Sequence, residues 1–193
     1  NGEENFSQIG PIFNNSLIFN GLFAVLLFII TLLGMPFLMK LLVSSEHIYV
    51  ATMEYLDWRI YGYFFVFLNV VFRSFYVGIT DTRILTTSAI ITAITNVLFD
   101  YVLIFGKFGF PELGIAGAAI ASVIAEATTL GYLFLHTLIF TDIKKYGIFS
   151  SLKVDFKTLK QILSISIFIM FQFLISISTW FLFFIFIERM GER

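Results

Sequence analysis

Apolar residues dominate five stretches of the chain, approximately Leu17 to Val43, Ile60 to Ile79, Ile84 to Phe105, Ile115 to Phe140 and Ile162 to Ile187. Each is long enough for a helix to cross a hydrocarbon core of about 30 Å, which takes roughly 20 residues. Strands would cross in about half that length and would alternate polar with apolar positions, a pattern these stretches lack. The pattern predicts an all-α, polytopic membrane helix bundle of about five transmembrane helices. The segments between them carry ordinary helix punctuation. Asp81 in GITDTR and Asp155 in KVDFKTL are placed to cap helix starts, while Gly109, Pro111 and Gly114 break the chain before the fourth span.

Composition supports the same class. With 59% hydrophobic residues, 26 Phe and only 13% charged residues, the chain has too few polar side chains to cover a water-facing surface. Its mean hydropathy is +0.93. A net charge of -1 and the lack of a basic, aromatic-interleaved patch argue against a nucleic-acid partner. No cysteine is present, so disulfide and thiolate chemistry are excluded, and His47 and His136 are too far apart in sequence to mark a transition-metal site. No P-loop, hydrolase or metallopeptidase motif appears, and the reading is of a protein that is not an enzyme and needs no cofactor.

Lysines set the expected orientation. Lys144, Lys145, Lys153, Lys157 and Lys160 crowd the stretch Thr141 to Lys160, which makes it the best cytoplasmic loop. Residues 1 to 16 and the TDTR turn then fall inside. Ser44 to Arg59, the GKFGFPELG loop and the C-terminal ERMGER fall outside. Phe149, Phe156 and Leu159 among the lysines leave two readings open, a solvated basic loop or a segment lying on an anionic leaflet. Asn1 in place of Met, an odd number of spans and the short tail after the last one lead us to expect a fragment of a larger transporter.

The candidate chemistry lies in polar residues inside the spans. Asp100 is a carboxylate in the third span, and a charge at the centre of a membrane helix costs about 3 kcal/mol on the insertion scale. Ser88, Thr92, Asn96 and Asp100 recur every fourth residue and so form a slowly turning stripe on one helix face. An ionised Asp, an Asn amide oxygen and a hydroxyl are hard oxygen donors suited to an alkali cation, and the same Asp is open to protonation. The alternative is that Asn96 and Asp100 serve only as hydrogen-bonding links to neighbouring helices.

The fourth span opens LGIAGAAIASVIAE. Gly114, Ala118 and Ser122 form one row of small residues and Gly117, Ala121 and Ala125 another, either of which lets a helix approach closely. Ser122 and Glu126 share a face, and Glu126 is a second candidate for the polar path or else a paired structural carboxylate. Elsewhere, Tyr55, Asp57 and Arg59 suit an interfacial belt, Asn69 and Arg73 lie deeper, and Arg73 is open to pairing with Asp81. Gln172, Ser176 and Thr179 recur at helical spacing beside Trp180 in the last span.

GITDTR, then NVLFDYVLIFGKFGFPELGIAGAAIAS, preceded by GEENFSQIG, resembles the multidrug and toxic compound extrusion family of cation-coupled efflux transporters. Its members have twelve transmembrane helices in two six-helix lobes, and this chain resembles the third to the seventh. The resemblance implies that residues 1–140 are part of the first lobe, the end of an inner loop plus four helices. Residues 141–160 would be the cytoplasmic inter-lobe loop, and 161–193 the first helix of the second lobe. It implies a cation site drawing on Asn96 and Asp100, with Ser122 at or near a contributing hydroxyl; Asn96 and Asp100 would hold Na⁺ if coupling is to sodium, and H⁺ is the alternative. Tyr55 resembles a fourth-helix tyrosine near that cavity, and Thr92, Glu126, Gln172 and Ser176 are its further expected lining. The family's first-helix carboxylate has no counterpart in this chain. A proline early in the seventh helix is replaced by Phe168, and Ser176 stands near the place of a glutamate found in one branch.

The implied function is export of amphipathic or cationic small molecules by alternating access, coupled to Na⁺ or H⁺, in a bacterial inner membrane and together with helices absent from this chain. A lipid-linked precursor flippase of related architecture and a non-transporting scaffold subunit remain the alternatives.

Overall fold

In the computed structural model, which describes residues 9–43, 45–150 and 155–191, every regular element is an α-helix. In order these are α1 (Ile9–Leu42), α2 (Glu46–Arg59), α3 (Gly62–Gly78), α4 (Arg83–Ile104), α5 (Gly114–Phe140), α6 (Ile143–Tyr146) and α7 (Phe156–Gly191). By length and composition α1, α4, α5 and α7 can each cross a membrane, and α2 with α3 together have the make-up of a bent span or a re-entrant loop. The chain divides into two compact units, residues 1–152 and 153–193.

The Ser44 to Arg59 stretch, expected as an outer connector, is for the most part the helix α2. Glu46, His47, Glu54, Asp57 and Arg59 make it too polar to register as an apolar run, yet they are residues a helix tolerates on exposed faces. It meets α3 through a break at residues 60–61 and a bend of 51°. Asp81 does not cap α4; that position is taken by Thr82, which makes no side-chain capping bond. The Asp81 amide is already committed to the end of α3, where it donates to Tyr76 O at 3.0 Å while the Thr80 amide donates to Val77 O. This is a Schellman ending, and it forces Thr80 to a positive φ of 63°. Asp155 behaves as expected, its carboxylate accepting from the Lys157 and Thr158 amides at the start of α7.

The first unit is centred on Phe13 of α1, Val71, Phe72, Phe75 and Tyr76 of α3, Ile84 of α4, Leu133 of α5 and Ile148. Ile148 belongs to the stretch expected to be a loop. Asp142 caps α6 by accepting from the Lys145 amide, and Gly147 reverses the chain at φ 65°. Asn14 of α1 then accepts from the Phe149 amide at 2.9 Å and donates to Gly147 O at 3.4 Å. Gly10 approaches so closely that a Cβ there would lie 2.4 Å from Gly147 O. The Phe149 ring packs edge-on against Phe13 and Phe134 and is not displayed for a membrane surface. Residues 142–150 are thus fastened to α1.

Most large apolar side chains of α1 face outward, among them Leu33, Phe37 and Leu41. A hydrocarbon solvent accounts for that exposure where water would not. The second unit is the single helix α7, with Phe168, Met170 and Phe173 exposed along it.

Candidate polar site between α4 and α5

Small residues decide how α4 and α5 meet. Of the two rows in the fourth span, the one at Gly117, Ala121 and Ala125 is buried, and it continues through Thr129 and Leu133 to Thr137. At Gly117 the helices nearly touch: a Cβ there would lie 2.7 Å from both the carbonyl carbon and oxygen of Leu103. Only glycine permits that approach. The turn that brings α5 back uses positive φ at Gly106, Phe108, Gly109 and Gly114.

This antiparallel contact sets polar groups of the two helices opposite one another. Asn96 Nδ2 donates to Ser122 Oγ at 3.4 Å, so two residues of the expected cation site meet across the interface. Further along, Thr92 Oγ1 and Thr129 Oγ1 are 2.6 Å apart. Each of these threonines also lies 2.8 Å from the carbonyl four residues back, Ser88 O and Ala125 O. A hydroxyl has one proton, so one threonine keeps its carbonyl bond while the other donates across the interface.

Asp100 lies on the same stripe, half-buried, and among the described residues it has no hydrogen bond or ion pair. Its carboxylate, the Asn96 amide oxygen and the Ser122 hydroxyl make an all-oxygen donor set, and that chemistry fits a hard monovalent cation. No group of three or more His, Cys, Asp or Glu converges among the described residues. Tyr55 is half-buried on α2, a helix that packs against α5. Gln172 and Ser176 are both exposed on α7.

Glu126 takes up a different partnership. Asn69 Nδ2 of α3 donates to Glu126 Oε2 and to Glu126 O, each at 3.0 Å. Arg73, one turn on from Asn69, makes no pair with Asp81, and its Nε is buried without a hydrogen-bond partner. A cleft of about 290 Å³ between α1 and α3, lined by Ser16, Asn20, Val70, Ser74 and Gly78, contains none of the expected site residues.

Two polar clusters went unforeseen as clusters. The Asn69 to Glu126 link joins residues 57 apart in sequence, and the only advance signal was a buried-type polar residue on each of two spans. The other centres on Tyr76, fully buried, whose hydroxyl is 2.8 Å from Thr137 Oγ1, 3.2 Å from His136 Nδ1 and 3.3 Å from Thr141 Oγ1.

Four to five apolar spans, with polar residues of α3, α4 and α5 turned toward one another, define a multi-pass protein of the cell membrane. The MatE family model matches residues 1–102, more than half of the chain, and the chain belongs to that family, multidrug and toxic compound extrusion. Over 83 residues it is 41% identical to the probable multidrug resistance protein NorM of Thermotoga maritima, covering 42% of this chain and 17% of that relative. A protein of the same name from Rhizobium meliloti is 38% identical over 84 residues, 42% of this chain and 18% of the relative. The Listeria innocua NorM is 28% identical over 170 residues, covering 86% of this chain and 37% of the relative. The chain therefore spans less than two fifths of the length of these curated relatives. The family is one of transporters, and the names of the relatives do not point to an enzyme.

Proposed function

We propose that the protein to which this chain belongs exports amphipathic or cationic small molecules by alternating access, driven by re-entry of Na⁺ or H⁺. The observation that carries this reading is the Asn96 to Ser122 bond across α4 and α5, with the carboxylate of Asp100 one turn from Asn96 and without a hydrogen bond or ion pair among the described residues. A carboxylate inside an apolar span is costly unless something compensates its charge. Asp100 and Asn96 bind the coupling ion directly or through water, and Ser122 assists. Tyr55, Thr92, Glu126, Gln172 and Ser176 contribute to the substrate cavity. Residues 1–140 belong to the first lobe, 141–160 to the inter-lobe loop and 161–193 to the second lobe, with the remaining helices outside this chain.

Substrate and ion then stabilise different states of one internal cavity, which is the condition for exchange. The test is Asp100→Asn in the full-length protein, reconstituted in vesicles. Ion-driven export should be lost while membrane insertion and folding are retained. Near-normal export by a folded Asp100→Asn protein would remove the reading. Names of relatives that speak of multidrug resistance support the substrate class.

A further inference from the structure

Glu126 and Asn69 lie apart from the Asn96, Asp100 and Ser122 set, and their hydrogen bonds do not balance. Asn69 is 2% exposed, and its amide carries two N–H donors and one oxygen acceptor. Both donors are used, one on the Glu126 backbone carbonyl and one on Glu126 Oε2. The acceptor, Asn69 Oδ1, is buried with no partner. Reversing the amide does not cure this, because its oxygen would then face a carbonyl and a carboxylate, both acceptors. The bond to the Glu126 carbonyl holds the amide in this orientation, and an ionised carboxylate has no proton to offer Oδ1.

A protonated Glu126 supplies that proton. Its carboxyl group becomes a donor, and the spare acceptor nearest to it is the oxygen of the amide it already touches. With the amide held in place by its bond to the Glu126 carbonyl, a rotation of the carboxyl group lets its O–H donate to Oδ1 while its other oxygen accepts from Nδ2, the paired arrangement of a carboxylic acid and a primary amide. Asn69 thus supplies a donor to the ionised state and both a donor and an acceptor to the protonated one, a property that leucine or serine at the same place would lack. We propose that Glu126 and Asn69 form a proton-binding site at the α3 and α5 interface, distinct from the set at Asn96, Asp100 and Ser122. The proton is taken from water, the carboxylate loses its charge, and no other bond is made or broken beyond these hydrogen bonds.

The setting makes that change of charge consequential. Glu126 lies midway along the 27-residue α5, where an ionised group is expensive. The charged or titratable groups on the elements around it include Arg73 on α3, Asp100 on α4, Asp57 and Arg59 on α2 and His136 on α5. None makes an ion pair with Glu126 among the described residues. Arg73 lies one turn from Asn69 on α3, and its Nε is buried without a hydrogen-bond partner.

The experiment is infrared difference spectroscopy between alkaline and acidic buffer on the purified full-length protein in lipid. Wild type should show a protonated-carboxyl band that shifts on deuteration. The band should be lost in Glu126→Gln, displaced in Asn69→Leu and retained in Asp100→Asn. A difference spectrum that Glu126→Gln leaves unchanged, or a Glu126 band that Asn69→Leu leaves in place, overturns the site. If Glu126→Gln fails to fold, Glu126→Asp serves, and the same band must move. Retention of the band in an Asp100→Asn protein that has lost transport separates this site from the transport reading, since either can then fail alone.

Discussion

Replacing Gly117 with alanine tests whether the close approach of α4 and α5 holds the polar site together. The added Cβ would lie 2.7 Å from the carbonyl carbon and oxygen of Leu103 and 2.9 Å from the amide nitrogen of Ile104. These are backbone atoms with no rotamer to escape into, so reaching an ordinary 3.4 Å contact moves the helices apart by about 0.7 Å. Overpacking of this kind costs about 1–3 kcal/mol. Against it stands the helix propensity of alanine over glycine, worth about 1 kcal/mol. Gly131 on the same helix removes that ambiguity, because a Cβ there meets nothing within 4 Å. Gly131→Ala gains the propensity without the clash, so the difference between the two variants isolates the packing term, about 1–3 kcal/mol. Reversible unfolding of the two full-length variants in mixed micelles measures it. The same displacement carried to Asn96 and Ser122 would stretch their 3.4 Å contact to about 4.1 Å, past hydrogen bonding. If Gly117→Ala proves as stable as Gly131→Ala, the helices are not held by this contact and the argument fails.

Two further outcomes follow from single contacts. A double-mutant cycle with Thr92→Val and Thr129→Val should return a coupling of about 0.6 kcal/mol, the typical value for a hydrogen bond between membrane helices; a coupling of zero would mean the 2.6 Å contact contributes nothing beyond packing. At the start of α7 the Thr158 hydroxyl, together with the Lys157 and Thr158 amides, holds the Asp155 carboxyl below the usual aspartate range. The folded helix therefore binds fewer protons there than the unfolded chain, so the stabilisation is complete above the ordinary aspartate pKa and is lost as pH falls through the lowered one. Circular dichroism of α7 against pH should show the helix start weakening on acidification in wild type and no such step in Asp155→Asn.

The apolar spans were legible because each is a run long enough to need no partner to identify it. What stayed hidden depended on groups distant in sequence or on competition for a single hydrogen bond. Asp81 has the right chemistry for a cap, but its amide ends α3 by bonding Tyr76 O, and α4 begins one residue later. The helix α2 was concealed by its charges, and it meets α3 through a 51° bend. In the site, only the family resemblance grouped Ser122 with Asn96, because spacing along one helix does not say which residue of the next it meets. The partner of Glu126 could not be chosen, since a carboxylate at the centre of a span states a need without naming the residue that meets it. The docking of residues 142–150 on α1 was equally invisible: Gly10 and Asn14 carry no sign of what they receive.

The polar contacts of α5 also say how that helix can move. Ser122, Glu126, Thr129 and Thr137 bond in turn to Asn96 of α4, Asn69 of α3, Thr92 of α4 and Tyr76 of α3. At the last of these, Tyr76 Oη lies within hydrogen-bonding distance of Thr137, His136 and Thr141. Sliding α5 by one residue, about 1.5 Å, would break all four links together, whereas a rotation of the first unit as a body breaks none. The small residues between these links leave no compressible side chain to absorb a slide. Any change of accessibility that involves α3, α4 and α5 is therefore expected to carry them as one block, and the places where that block can respond to a bound ion or proton are, among the described residues, side chains whose bonds are not yet complete, Asp100, Asn69 and Arg73.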